Sequence, residues 1–257
     1  MSLEKRPLGN TGIQVSSLGL GTVKFGRNQE VKYPANFTLP TDRDIEALLD
    51  LAQELGFNLL DTAPAYGSSE QRIGRLLKNR DDWVLSTKVG EEFTTGKSFF
   101  DFSAEHARRS VERSLRDMRT ECLDIVLIHS DGDDLKILNE TDCLPTLLKM
   151  REQGLIRAIG MSTKTVAGGL RAVELLDAVM ATYNPSYTDD RPVIEAAYAA
   201  GKGVLLKKAL NSGHDALAGA SQTASNLRAA LALPGVSSAI VGTINPTHLR
   251  ANAEAAG

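Results

Sequence analysis

Eight short apolar runs rich in β-branched residues recur along the 257-residue chain, separated by longer amphipathic stretches. They fall at residues 17–22, 58–63, 83–89, 123–130, 157–162, 178–184, 203–210 and 238–243. Their starts lie about 31 residues apart on average, the length of one strand–helix unit. Most runs carry few polar interruptions, as parallel strands do when both faces are covered. Helical signals fill the gaps. Thr41 precedes Asp42, Arg43 and Asp44, and Ile45, Leu48, Leu49, Ala52 and Leu55 follow at helix spacing, with Gly56 as the stop. Ser103 precedes a segment with Val111, Leu115 and Met118 on one face. Further helices are predicted at 69–78, 144–153, 166–176, 192–200, 223–231 and 246–256, and residues 7–13 predict a hairpin with a glycine-bearing turn.

No G-x-G-x-x-G follows any of the strands, which argues against a dinucleotide-binding open sheet. A flavodoxin-like sheet would leave about three units unplaced. The expected class is therefore α/β, a (β/α)8 TIM barrel with an N-terminal β-hairpin, built as one domain over residues 1–257. With 42% hydrophobic and 24% charged residues, disordered and fibrous classes are excluded. No apolar run approaches the roughly 18 residues of a membrane helix, and the N-terminal MSLEKRPLGN is polar. Cys122 and Cys143 form no C-x-x-C, so a reducing cytoplasmic location is expected and the N-x-S/T triplets at Asn36 and Asn139 carry no meaning. Lys and Arg total 29 against 32 Asp and Glu, a net charge of −3 without the basic footprint of a nucleic-acid binder. The expected partner is a small molecule, with no nucleic acid and no membrane, and no apolar stripe decides the oligomeric state.

In a barrel of this kind the site lies at the C-terminal ends of the strands. The second run ends in Asp61, followed by a loop with Tyr66, the third reaches Lys88, and the fourth reaches His129. Singly, each has a bland reading: a turn cap, a packed ring, a snorkelling amine, a core histidine. Together they make a chemical set. An ammonium beside a tyrosine favours tyrosinate and lowers its pKa from about 10, and a carboxylate behind the ammonium keeps it charged. A histidine on the next strand can hydrogen-bond a carbonyl oxygen and steer it to the tyrosine. Nothing in this set supplies electrons, so a hydride source is required.

DTAPAYG over residues 61–67, Lys88 in STKVG and His129 in LIHS resemble the Asp–Tyr–Lys–His tetrad of the aldo-keto reductases in order and spacing. The resemblance extends to the opening hairpin, to Gly19-Leu20-Gly21-Thr22, to GMST in the fifth run and to VGTINPTHLRAN over residues 241–252. It implies NAD(P)H-dependent reduction of aldehydes and ketones, with the cofactor extended across the barrel mouth. Tyr66 would be the proton donor, tuned by Lys88 and Asp61, and His129 would orient the carbonyl. Ser162 would hold the nicotinamide carboxamide, with Thr163, Tyr183, Lys207 and Lys208 nearby. The 210–213 loop, with Leu210 and Ser212, would approach the pyrophosphate. Gly242, Thr243, Asn245, His248 and Asn252 would meet the adenosine end, where a helix N-terminus suits phosphate. No metal is implied.

Several positions depart from the family pattern. Thr163 stands where many members carry Asn, and Met180 where they often carry Gln. Lys207 occupies a position that often holds an aromatic against the nicotinamide, and Lys208 resembles some bacterial branches. His248 replaces an arginine often found at the 2′-phosphate, and a largely neutral imidazole is the weaker partner. NADP(H) is the cofactor the resemblance implies, with NAD(H) the alternative. Many relatives continue past the last helix into a loop that closes over substrate. Read to Gly257, this chain lacks that loop, which implies an open site and broad specificity.

Six of seven phenylalanines fall in the loops after the first and third runs. Val23, Phe25, Phe93 and Phe99 are the expected apolar walls of the substrate pocket. The acidic loop with Asp131, Asp133, Asp134, Glu140 and Asp142 could suggest calcium, but its glycine is misplaced for such a site, and a solvated loop is expected. Two other functions compete with the reductase. One is a lyase forming a Schiff base on Lys88, which nearby Asp61 disfavours by keeping the amine protonated. The other is a barrel that binds nicotinamide as a redox sensor with little turnover.

Overall fold

The computed structural model describes residues 2–31, 36–210 and 220–257. The chain opens with an antiparallel hairpin, β1 (Lys5–Pro7) and β2 (Gln14–Ser16). Eight parallel strands then close on themselves in chain order. They are β3 (Leu18–Gly21), β4 (Leu59–Asp61), β5 (Val84–Val89), β8 (Leu123–His129), β9 (Ile156–Ser162), β10 (Ala178–Thr182), β11 (Gly203–Lys207) and β12 (Val236–Val241). β12 pairs back on β3 with Val241 opposite Leu20, so the sheet has no open edge. The fold is the expected (β/α)8 barrel.

Eight helices match the expected ones: α2 (Asp42–Glu54), α3 (Ser69–Leu76), α4 (Ala104–Asp117), α6 (Cys143–Glu152), α7 (Val166–Leu175), α8 (Arg191–Ala199), α9 (Ala220–Leu231) and α10 (Pro246–Ala256). Thr41 and Asp44 form a reciprocal capping box on α2, which satisfies two otherwise orphaned N–H groups. Two further short helices, α1 (Val23–Gly26) and α5 (Asp134–Glu140), and the hairpin β6 (Glu91–Thr94) with β7 (Lys97–Phe100) lie inside segments read as loops. Asp131, Asp133, Glu140 and Asp142 are exposed as expected of a solvated acidic loop, but part of it is the helix α5 and Asp134 departs from the expectation. Asp134 is buried, accepting from the Ser130 hydroxyl, the Lys164 and Thr165 amides and the Thr165 hydroxyl. β4, β10, β11 and β12 end two or three residues before their apolar runs do. β10 stops at Thr182 because Asn184 turns to bridge Tyr187, and β11 stops at Lys207 because Lys208 takes a left-handed φ of 56°.

Strand alternation sorts the core into two layers. Leu59, Val84, Ile125, Leu127, Ala158, Ala178, Met180 and Leu205 fill the barrel interior, closed from below by Leu8, Ile13 and Val15 of the hairpin. The residues between them, such as Leu60, Leu85, Val126 and Ile159, face outward and pack under the helices. Among the described residues no helix is long and apolar enough to cross a membrane.

Candidate active site

The same alternation decides what stands at the barrel mouth. Two residues beyond each apolar interior position comes the next inward one: Asp61 above Leu59, His129 above Leu127 and Lys207 above Leu205. Lys88 pairs with Leu127 across β5 and β8, and His129 with Ser162 across β8 and β9. These polar side chains therefore converge at one end of the barrel.

Tyr66 arrives by a different route. After Asp61 the chain enters a single 3-10 turn, Pro64–Tyr66, with proline at its first position. Gly67 follows at φ 63° and ψ −121°, where a Cβ would lie 2.3 Å from the Gly26 carbonyl oxygen. The glycine thus lets the turn lie against α1 and holds the tyrosine over β5.

Lys88 is buried and donates to both Asp61 carboxylate oxygens at 2.8 Å and to the Thr62 carbonyl at 2.9 Å. Its Nζ lies 4.8 Å from the centroid of the Tyr66 ring. Burial alone would lower Lys88, but Asp61 and Tyr66 raise it above the usual lysine value, so the amine is an ammonium. That charge state counts against Schiff-base chemistry, which needs the free amine. Tyr66 differs from the expectation. Desolvation of its hydroxyl, aided by Asp61 and Glu91, outweighs the pull of Lys88 and raises it above its ordinary value. Tyr66 is therefore a protonated phenol at neutral pH, a donor rather than a tyrosinate.

His129 lies beside this group with Nδ1 2.9 Å from Oε2 of Glu91, an oblique approach that falls short of an aligned hydrogen bond. Burial lowers His129, with Lys88 and Lys207 adding to the effect and Glu91 opposing it. Burial would raise Glu91, yet His129, the Ser98 hydroxyl at 2.6 Å and Arg27 at 3.8 Å bring it down to about 2. Glu91 was not among the residues singled out from sequence. The one local signal was the Thr95-Gly96 turn, where both residues take positive φ and the flanking segments pair as a hairpin.

A cleft of about 1240 Å³ runs from these residues to α10. Ser162, Thr163, Lys207, Lys208, Leu210, Gly242, Thr243, His248 and Asn252 border it, as do Val23 and Met180. Lys207 donates to the Ser162 hydroxyl at 2.9 Å and the Thr163 carbonyl at 2.6 Å. Burial, with Lys208 and Lys164 nearby, pushes Lys207 down to about 7 against the pull of Asp190 and Asp134. Asn245 does not border the cleft; it caps α10, accepting from the Thr247 and His248 amides at 2.9 and 3.4 Å. Tyr183 packs against the outer core instead, and Ser212 lies outside the described residues.

Three of the expected substrate walls stand elsewhere. Phe25 is fully buried in the outer core. Phe93 lies under the Arg27 guanidinium, 3.6 Å from ring centroid to Cζ, so a cation–π contact claims its face. Phe99 points to the far side of its hairpin and is 48% exposed. Alternation puts Phe100, not Phe99, on the cleft side, opposite Glu91.

The sequence matches the family model for the aldo/keto reductase family over residues 17–214. A solved structure of a candidate aldo-keto reductase from Pseudomonas aeruginosa is 54% identical, superposes with a TM-score of 0.89, and covers 98% of this chain and 93% of its own. L-galactose dehydrogenase of Arabidopsis thaliana is 35% identical over 168 residues, 62% of this chain and 48% of that enzyme. Aldo-keto reductase YhdN of Bacillus subtilis is 31% identical over 189 residues, 71% of this chain and 54% of its own length. The chain thus spans about half the length of these two curated relatives. With the family model matched across most of the barrel and its four mouth residues gathered at one end, the chain belongs to the aldo/keto reductase family, a family of oxidoreductases.

Proposed function

We propose that this protein is a nicotinamide-dependent carbonyl reductase acting on small aldehydes or ketones. The observation that carries the reading is the Tyr66–Lys88–Asp61 group beside His129, set at one end of a cleft that continues to α10. The cleft suits an extended dinucleotide: Lys208 offers positive charge midway, joined by Lys207 when protonated, and Thr243, His248 and Asn252 offer polar contacts at the far end. Ser162, Thr163 and Leu210 would complete the binding surface. A bound reduced nicotinamide would supply the hydride to the carbonyl carbon.

The chain's own residues would handle the oxygen. Tyr66 donates its Oη proton as charge develops there. Lys88, held by Asp61, then stabilises the phenolate left behind. His129 lends a ring nitrogen to the same oxygen and fixes its direction. Phe100 and Val23 provide apolar surface at the mouth.

NADP(H) is the proposed cofactor, with NAD(H) tested beside it. Purified protein titrated with each, followed by tryptophan fluorescence from Trp83 and by turnover of 4-nitrobenzaldehyde, separates the outcomes. Tyr66→Phe is expected to lower kcat by about 10²- to 10⁴-fold with cofactor binding retained, and full activity in that variant would sink the reading. A sensing role is the second reading, since Thr163, Met180 and Lys207, which depart from the family pattern, all border the cleft. Binding of nicotinamide dinucleotide without turnover of any carbonyl would select that second reading.

A further inference from the structure

We propose that Glu91 is a positioning residue for His129: its carboxylate holds the proton on Nδ1 and turns Nε2 toward the cleft as the atom that meets the substrate oxygen. The inference deepens the carbonyl-reductase reading and rests on it for the identity of that oxygen.

The argument begins with Gly90. It follows β5 at φ 111°, and a Cβ there would lie 2.3 Å from the Phe102 ring, so only glycine allows the chain to turn out of the barrel at this point. β6 therefore starts three residues after Lys88. In the β6–β7 hairpin Glu91 pairs with Phe100 and Phe93 with Ser98, which places these four on one face. That face looks across the mouth, and Glu91, Ser98 and Phe100 all border the cleft. Glu92 falls on the other face, against His106 and Arg113 of α4.

Glu91 is held from three directions. Its Oε1 accepts from Ser98 Oγ at 2.6 Å and lies 3.8 Å from an Arg27 nitrogen, which leaves Oε2 to face His129 Nδ1 at 2.9 Å. Arg27 is itself fixed by the Gln29, Glu30 and Ala65 carbonyls and by the Phe93 ring. Oblique though the contact is, a carboxylate oxygen and a bare imidazole nitrogen would repel at 2.9 Å, so the Glu91 charge favours the proton on Nδ1. Among the described residues no protein group bonds Nε2, and the half-buried ring borders the cleft. In the neutral ring Nε2 is then an acceptor, suited to an alcohol hydroxyl. With a second proton it becomes a donor, suited to a carbonyl oxygen. The charged groups that face the ring are Glu91 on β6, Lys88 on β5 and Lys207 on β11, and only the first favours that second proton.

The test is nitrogen-15 NMR of histidine-labelled full-length protein, without cofactor or substrate, with the His129 signal assigned by His129→Gln. The neutral ring is expected to carry its proton on Nδ1. Glu91→Gln keeps an acceptor but removes the charge, and should move the titration of His129 to lower pH. Glu91→Ala removes both and should populate the Nε2-protonated form. His106, which faces Glu92, should not respond to either change. In turnover, Glu91→Gln should lower kcat about tenfold with KM little changed, and should shift the pH profile in the same direction as the NMR titration. If Glu91→Ala fails to fold, Ser98→Ala should give the shift of Glu91→Gln at smaller size. An Nε2-protonated ring in the wild type, or a titration unmoved in both Glu91→Gln and Ser98→Ala, overturns the proposal. A wild-type ring protonated on Nδ1 in a protein that binds no nicotinamide and reduces no carbonyl would support the Glu91 assignment while removing the reductase reading.

Discussion

Lys88 and Lys207 stand on opposite sides of the barrel mouth, on strands four places apart in a ring of eight. Each is the last inward-facing residue of its strand, and each has its amine withdrawn from water. Lys88 meets the Asp61 carboxylate and is raised; Lys207 meets a hydroxyl and a carbonyl, has Lys208 beside it, and is pushed down to about 7. Lys207 is partly buried and borders the cleft, and burial is the largest influence on its amine. Desolvation bears on both lysines yet the outcomes are opposite, and the partner decides which. A carboxylate repays the cost of burying an ammonium, whereas neutral dipoles repay only part of it. The consequence is a division of labour at one mouth. One lysine is a permanent cation behind the tyrosine, and the other changes charge near neutrality where a ligand would pass.

The sharpest way to break the contrast is Asp61→Asn, which gives Lys88 the neutral surroundings of Lys207. Carbonyl reduction should fall by about 10²-fold or more, and unfolding in urea should show a loss of about 3–5 kcal/mol, since an unpaired buried ammonium remains. Unchanged stability would mean that Asp61 is not what keeps Lys88 charged.

Removing Lys207 should have a smaller effect with a pH signature. Its folded-state value lies below that of the unfolded chain, so the unfolded state binds more protons between about pH 7 and 10.5. Stability therefore rises with pH across that window in the wild type on account of this group, and Lys207→Met should flatten the rise. Lys88 has the opposite sign: its contribution is complete below the unfolded-state value of 10.5 and is lost as pH climbs through its higher folded value. Urea melts at pH 7 and pH 9.5 on wild type and Lys207→Met check the Lys207 statement, and parallel stability curves would contradict the assignment. The smallest effect belongs to Ser162→Ala, which removes one of the two acceptors on Lys207. It should lower the Lys207 titration further and weaken nicotinamide dinucleotide binding only a few-fold, read by fluorescence titration.

The barrel and half of the mouth were legible in the sequence for one reason. Strand alternation has a fixed period, so apolar interior residues such as Leu59 and Leu127 announce that Asp61 and His129, two positions on, also face inward. The misreadings share a cause as well. Phe93 and Phe99 looked equivalent along the chain, but a hairpin inside the loop turned one under Arg27 and the other to solvent. Glu91 escaped notice because it comes from an element that apolar periodicity barely marks. Asn245 was read as a cleft residue, whereas its side chain serves the first turn of its own helix. Asp134 was read as solvated, whereas it ties the loop after β8 to the start of α7.

Periodicity and turn chemistry are local, so the order of strands, the inward-facing residues at their ends and the family resemblance all follow from the chain read in one dimension. Charge states do not. Whether Lys88 is an ammonium, whether Lys207 titrates near neutrality, whether Tyr66 holds its proton and where His129 carries its own depend on desolvation and on partners 27 to 45 residues away or on a different strand. Those energies are sums over neighbours that only closure of the barrel brings together.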